Sequence, residues 1–126
     1  MNIKEFVKQQ LYLEADSILK AAEKINENFE KAVELILNCS GKVVAIGMGK
    51  SGIIARKISA TLASTGTTSI FLHPAEGIHG DLGMLQKNDV VIAISQSGNT
   101  QEMLAVIPYI KFMEIPLIAI TGNTGS

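Results

Sequence analysis

The feature that most constrains the fold is an alternation of short apolar runs with stretches of helical periodicity. The runs at 43–46, 69–72, 89–94 and 116–120 are rich in β-branched and other apolar residues, which predicts four strands, the first of them fully buried. The stretches 51–64 and 99–113 carry apolar residues every three or four positions, which predicts helices between strands. This order favours an α/β fold, an open parallel sheet with helices on both faces and right-handed crossovers.

Three further segments complete the predicted organisation. Apolar residues from Phe6 to Phe29 recur at nearly every third or fourth position, which predicts one amphipathic helix, or two joined helices, up to residue 38. The connection 73–88 has little regular pattern, and a connection of this length is usually functional. Pro108 is expected to kink or shorten the helix at 99–113.

Length and composition limit the number of domains and exclude two classes of partner, nucleic acids and membranes. The 126 residues fit a single domain, 1–126, and 11 Lys and Arg against 12 Asp and Glu leave no basic field for a nucleic acid. No apolar run approaches the roughly eighteen residues that span a bilayer, so no membrane partner is expected. Cys39 cannot form an internal disulfide, and the charged N-terminal start lacks a signal-peptide core. These features predict a cytoplasmic protein.

Polar segments follow all four predicted strands. They lie at 47–52, 73–81, 95–102 and 121–124, and they are rich in glycine and in hydroxyl, amide or titratable side chains. The carboxyl ends of parallel strands share one edge of the sheet, and ligands of open α/β sheets bind beyond that edge. We therefore expect a functional site there.

The glycine-rich segment 47–52 has three possible interpretations. A P-loop is excluded, because its first glycine would fall at Val44, inside a predicted strand. Gly47, Gly49 and Gly52 match the dinucleotide fingerprint, but His73 stands where that fold needs a ribose-binding acid. The glycines alternatively serve only a tight turn between a strand and a helix.

The segment 95–100, Ser-Gln-Ser-Gly-Asn-Thr, favours the binding of a single phosphate group. Hydroxyl and backbone N–H groups at the start of a helix, together with the positive end of the helix dipole, can hold one anion without a metal ion. The alternative is that Ser97 or Asn99 only caps the helix.

Three motifs together resemble the sugar isomerase (SIS) domain of phosphosugar-binding proteins. They are Gly-Met-Gly-Lys-Ser-Gly at 47–52, Ser-Gln-Ser-Gly-Asn-Thr at 95–100, and His-Pro-Ala-Glu-Gly-Ile-His-Gly-Asp-Leu-Gly-Met at 73–84. The third motif is similar to that of the arabinose 5-phosphate isomerases, including the capsule- and sorbitol-operon forms. The resemblance implies a flavodoxin-like strand order and interconversion of D-arabinose 5-phosphate and D-ribulose 5-phosphate, which feeds Kdo, lipopolysaccharide or capsule synthesis.

The resemblance also implies roles for individual residues. Glu102 would be the base that acts through a cis-enediol, His79 would open the sugar ring or move protons, and Lys50 would polarise the carbonyl or contact phosphate. The expected phosphate ligands are Ser51, Ser95, Gln96, Ser97 and Thr100, and the expected loop-shaping glycines are Gly47, Gly49 and Gly98.

Simpler roles remain open for the candidate catalytic residues. Glu102 would be favoured by the helix dipole in any case, and Lys50 and His79 could be ordinary surface or packing residues. His73 is expected to pack at a strand end. The carboxylates and imidazoles of 73–81 follow no standard metal spacing, so we expect no metal ion and no cofactor.

Family members usually continue with another strand, further helices and a second active-site histidine, and often with CBS modules. We therefore expect this sequence to represent the N-terminal part of an SIS domain, without CBS modules. The apolar strand at 116–120 would then need a cover, which predicts a homo-oligomer, a dimer or tetramer, whose interface involves the N-terminal helix. The alternative function is a module that binds or senses phosphosugars without turnover.

Overall fold

Two helices precede the sheet, as one of the two sequence alternatives predicted. The computed structural model describes residues 2–78, 80–98 and 101–122, and its contacts divide the chain into two compact units, Met1–Val33 and Glu34–Ser126. Helix α1 spans Ile3–Glu23 and helix α2 spans Glu27–Leu37. The Asn2 side chain accepts a hydrogen bond from the Glu5 N–H at 3.3 Å, and the Asn26 side chain accepts one from the Asn28 N–H at 3.0 Å. Both asparagines satisfy N–H groups that the start of a helix leaves unpaired.

The remaining elements alternate strand and helix. They are β1 (Val43–Gly47), α3 (Gly49–Ser64), β2 (Ser69–Leu72), α4 (Pro74–Ile78), the 3₁₀-helix η1 (Asp81–Met84), β3 (Val90–Ser95), α5 (Gln101–Phe112) and β4 (Leu117–Thr121). All described pairings are parallel, and the strand order is β2-β1-β3-β4. The predicted α/β class and flavodoxin-like order are therefore confirmed.

The core lies on both faces of the two central strands, β1 and β3, whose residues are all buried. On one face Val44 and Ile46 pack in a cluster with Val106 and Ile110 of α5. On the other face Val43 and Ala45 pack with Ala55 of α3. Because successive strand residues point to opposite faces, an uninterrupted apolar run is what a strand covered by helices on both sides requires.

The structure differs from the sequence expectation at two places. The connection 73–88 contains α4 and η1 rather than little regular structure, and the buried side chain of Leu85 anchors it in the core. Helix α5 continues through Pro108 to Phe112, so this proline does not end the helix, and the alternative that it kinks the helix stays a prediction. Ile110, two residues beyond the proline, is fully buried, and that packing holds the last turn. In the described chain, Ala119 and Ile120 of β4 are exposed.

An ion pair closes the amino-terminal edge of the sheet. The Asp89 side chain is 2% exposed and accepts hydrogen bonds from the Lys42 N–H (2.9 Å), the Lys42 Nζ (2.8 Å) and the Gln86 N–H (2.9 Å). Lys42 Nζ also donates to the Met84 carbonyl at 2.7 Å, so it joins β1 to the end of η1. Burial acts to raise the pKa of Asp89, but these donors and the Lys42 charge outweigh it, and the pKa lies below its ordinary value.

Candidate functional site

A cavity of about 450 Å³ lies at the carboxyl ends of β1 and β3. The chain leaves β1 for β2 on one side and leaves β3 for β4 on the other, so the connections diverge at this point. Divergent connections leave a crevice, which is where open α/β sheets bind ligands. The cavity is lined by Met48, Ser51, Ile94, Ser95, Gln96, Ser97 and Met103.

The turn between β1 and α3 brings Ser51 to this cavity. A Cβ atom on Gly47 would lie 2.8 Å from the Ser51 carbonyl oxygen, so the strand end and the first helical turn approach too closely for any side chain there. Gly49 has a φ of 58°, in the left-handed region that favours glycine. The Gly52 N–H then donates to the Met48 carbonyl at 3.0 Å. Two of the three predicted loop-shaping glycines, Gly47 and Gly49, thus stand where the backbone needs them.

The loop after β3 is held by its own hydrogen bonds and by β4. The Gly98 N–H donates to Ser95 Oγ at 3.0 Å, and Gly98, with a φ of 75°, makes this turn possible. The Gln96 carbonyl accepts from the Gly122 N–H at 3.0 Å and from the Thr121 hydroxyl at 3.4 Å. These bonds fix the backbone that carries Ser95, Gln96 and Ser97 in the polar wall of the cavity.

The structure gathers four of the five predicted phosphate ligands at one cavity. Ser51, Ser95, Gln96 and Ser97 line it, and Thr100 lies outside the described residues. We refer to these four lining residues as the polar cup. Backbone and hydroxyl donors converging at the start of a helix suit an anion.

Of the three predicted catalytic residues, the two that the structure describes, Lys50 and Glu102, do not line this cavity. Glu102 is half-buried in the first turn of α5, next to Met103, but it does not line the described cavity. Lys50 is exposed in the first turn of α3. His79 lies outside the described residues. Their roles stay predictions.

Sequence reasoning missed the apolar part of the wall. Met48, Ile94 and Met103 complete the lining. Met48 could have been found from its place between two turn glycines, and Met103 from its place in the first turn of the helix after the cup. Nothing in the sequence distinguishes Ile94 as a lining residue, because it belongs to the apolar run that forms the buried strand β3.

His73 has a local structural contact that agrees with its expected place at a strand end. Its Nδ1 accepts a hydrogen bond from the Ala75 N–H at 3.1 Å at the start of α4, and the side chain is half-buried. Gly77, one turn on, is buried, and a Cβ there would lie 3.4 Å from the Leu82 side chain. Helix α4 therefore packs closely on η1.

Neither a metal cluster nor a membrane span is found in the described ranges. Within 2–78, 80–98 and 101–122, no three His, Cys, Asp or Glu side chains cluster in a way that could hold a metal ion. Among the same residues, no helix has both the length and the apolar character needed to cross a membrane.

Comparison with known proteins identifies the family. The model of the SIS domain matches residues 36–126, so the chain belongs to the SIS domain family. The resemblance seen in the motifs is thereby confirmed.

Two curated relatives and one solved structure show which SIS proteins this chain is similar to. The chain is 52% identical over 119 residues to "Arabinose 5-phosphate isomerase KdsD" of Salmonella typhi. The aligned region covers 94% of this chain and 36% of that protein. The chain is 53% identical over 114 residues to the protein of the same name from Pseudomonas aeruginosa, covering 90% and 35% respectively. An E. coli CFT073 structure in complex with arabinose 5-phosphate superposes with a TM-score of 0.90 at 44% identity, covering 100% of this chain and 69% of that one. The chain thus spans about a third of the length of these curated relatives.

Proposed function

We propose that the protein is an aldose-ketose isomerase that interconverts D-arabinose 5-phosphate and D-ribulose 5-phosphate. The observation that carries this proposal is the polar cup, Ser51 with residues 95–97, at the carboxyl edge of the sheet and just before helix α5. The cup offers hydroxyl and amide groups to a phosphate, and the similar E. coli structure binds arabinose 5-phosphate. The names of the curated relatives agree with this substrate.

The reaction needs a proton transfer and no oxidant. A base removes the proton from C2 of the aldose while the C1 carbonyl oxygen gains a proton, which gives a cis-enediol. The C2 hydroxyl then loses its proton, C1 receives one, and the ketose forms. A phosphate held away from the reacting carbons fixes their position relative to the base.

Glu102 is the residue we propose as the base. It lies in the first turn of α5, after the segment 95–97 that supplies three of the four cup residues, and it is half-buried. A carboxylate in this place stands one residue before Met103, which lines the cavity wall.

We propose that Lys50 and His79 act on the oxygen atoms of the substrate. Lys50 follows Gly49 at the start of α3, from where its flexible side chain can reach the carbonyl oxygen or the phosphate. His79 is proposed from the family resemblance to open the sugar ring or to move protons between oxygens. Thr100 is proposed as a further phosphate ligand. No metal ion or cofactor is needed for these steps.

The experiment is an assay of ribulose 5-phosphate formation from arabinose 5-phosphate, combined with binding measured by calorimetry. Glu102→Gln is expected to abolish turnover and leave binding within a few-fold, whereas Ser97→Ala is expected to weaken binding about tenfold. Lys57→Gln, at an exposed lysine of α3 that does not line the cavity, is the surface control. Binding without conversion by the unmodified chain would support a phosphosugar-binding module instead.

Helix α1 supports a proposal about assembly. The whole of α1 is described, none of its residues is buried, and Leu11, Ile18 and Leu19 are among its exposed large apolar side chains. Exposed apolar area on this scale marks an interaction surface, and we propose a second copy of the chain as the partner. Light scattering at micromolar concentration should show a dimer or tetramer, and a monomer would refute this proposal.

The remaining expectations stay predictions. They are a cytoplasmic location, a role in Kdo, lipopolysaccharide or capsule synthesis, and the organisation of 1–126 as a single SIS domain. Expression with a fluorescent tag and complementation of a strain lacking arabinose 5-phosphate isomerase would test the first two.

A further inference from the structure

A second cavity, of about 240 Å³, adjoins the cavity of the polar cup. It lies between helix α5 and strand β4, and Ser95 and Met103 line both cavities. The rest of its wall is mainly apolar, and it includes Leu104, Ile107, Leu117 and Ala119. The first cavity therefore has a polar cup and the second a mainly apolar wall, and Ser95 and Met103 form the boundary between them.

Met103 is the larger of the two side chains at that boundary. It is 4% exposed and packs in the core cluster with Val106 and Ile110, so its position is fixed by packing. Ser95 is held by the Gly98 N–H at 3.0 Å and contributes only a small hydroxymethyl group. Met103 thus contributes the larger side chain to the wall that the two cavities share.

We propose that Met103 determines ligand specificity by closing the polar cup off from this apolar cavity, so that the cup accepts short polyol phosphates and rejects phosphomonoesters with longer apolar tails. The proposal rests on the proposed phosphate-binding function of the cup. Ser51 and Ser97 share their cavity with an apolar wall that includes Met48 and Met103, so the ester chain of a phosphate bound in the cup would border this wall. Of these two methionines only Met103 also lines the second cavity.

The proposal predicts how affinity depends on chain length. Each methylene that enters an apolar space and leaves water strengthens binding about fourfold. In the unmodified protein the affinity should stop rising once the tail meets Met103. Truncation of Met103 should let the tail enter the second cavity, so the affinity should continue to rise about fourfold per added methylene.

The experiment measures the dissociation constants of inorganic phosphate and of the straight-chain series from methyl to octyl phosphate by calorimetry. The variants are Met103→Ala, the milder truncation Met103→Val and the volume-conserving Met103→Leu. Met48→Ala is the matched control, because it enlarges the cup on the side that does not adjoin the second cavity. Far-UV circular dichroism checks the fold of each variant, and Met103→Val carries the test if Met103→Ala does not fold.

The expected result is a plateau in the unmodified protein, in Met103→Leu and in Met48→Ala, and a continued rise in Met103→Val and Met103→Ala. Equal plateaus in all folded variants would overturn the proposal, as would a rise in Met48→Ala alone. A rise through octyl phosphate in the unmodified protein would also overturn it, because Met103 would then be no barrier. Failure of phosphate and methyl phosphate to bind would refute the proposed function of the cup instead.

Discussion

Replacing Asp89 by Asn tests the ion pair that joins β1, η1 and β3. The Asp89 carboxylate accepts three hydrogen bonds, one from Lys42 Nζ and two from the backbone N–H groups of Lys42 and Gln86. An amide has only one oxygen to accept these bonds, and its NH₂ group would face the donors that the second carboxylate oxygen now serves. The substitution therefore removes the negative charge opposite the Lys42 ammonium, which keeps its hydrogen bond to the Met84 carbonyl, and leaves at least one of the three donors without an acceptor.

The expected loss is about 3 kcal/mol of the free energy of unfolding at pH 7, since each unsatisfied buried group costs about 1–3 kcal/mol and removing one partner of a buried ion pair is strongly destabilising. With a urea dependence of about 2 kcal/mol per molar, the midpoint should fall by about 1.5 M. Urea unfolding followed by circular dichroism measures this shift. Asp81→Asn, at an exposed aspartate of η1, is the matched control and should change the stability by less than about 0.5 kcal/mol.

The ion pair of Lys42 and Asp89 also predicts how the stability difference between the unmodified protein and Asp89→Asn depends on pH. Because the pKa of Asp89 is lower in the folded chain than its ordinary value of about 3.9, its contribution to stability is fully present above that value. It is lost as the pH falls through the folded pKa. The stability gap between the unmodified protein and Asp89→Asn should thus narrow below about pH 4. A gap that is under about 0.5 kcal/mol at pH 7, or that does not change down to pH 3, would refute this reasoning.

Two further substitutions test the turn and the core. Gly47→Ala places a Cβ 2.8 Å from the Ser51 carbonyl oxygen, so the first turn of α3 must shift, and phosphate affinity should fall about tenfold or more by calorimetry. Gly83→Ala, where a Cβ meets nothing within 4 Å, is its control, and equal affinity of the two variants would contradict the geometry. Ile110→Ala, at a fully buried residue of α5, should lower the free energy of unfolding by about 2–5 kcal/mol in urea. Leu104→Ala, at an exposed residue of the same helix, should cost less than half as much, and similar losses would contradict the assigned burial.

Local sequence patterns located the elements of the sheet to within a residue or two. The predicted strands 69–72 and 89–94 correspond to Ser69–Leu72 and Val90–Ser95. These assignments succeed because apolar runs and helical periodicity are local properties of the chain, which any buried parallel strand or amphipathic helix must show. The same patterns placed the glycine and hydroxyl segments at the carboxyl ends of the strands. The strand order and the chemistry came from the resemblance of three motifs to the SIS domain.

Which side chains meet was decided by tertiary packing. Lys42 and Asp89 are 47 residues apart, and nothing local distinguishes this buried pair from two surface charges. Likewise, Met103 borders two cavities only because α5 packs on one face of the sheet, where this core residue reaches the walls of both. Helices α4 and η1 formed where the sequence pattern predicted an irregular connection, because Leu85 and neighbouring residues gain burial against the core. Such contacts join segments that are far apart in the chain. Hydrophobic periodicity is a local property, so it cannot predict which distant segments come close in space.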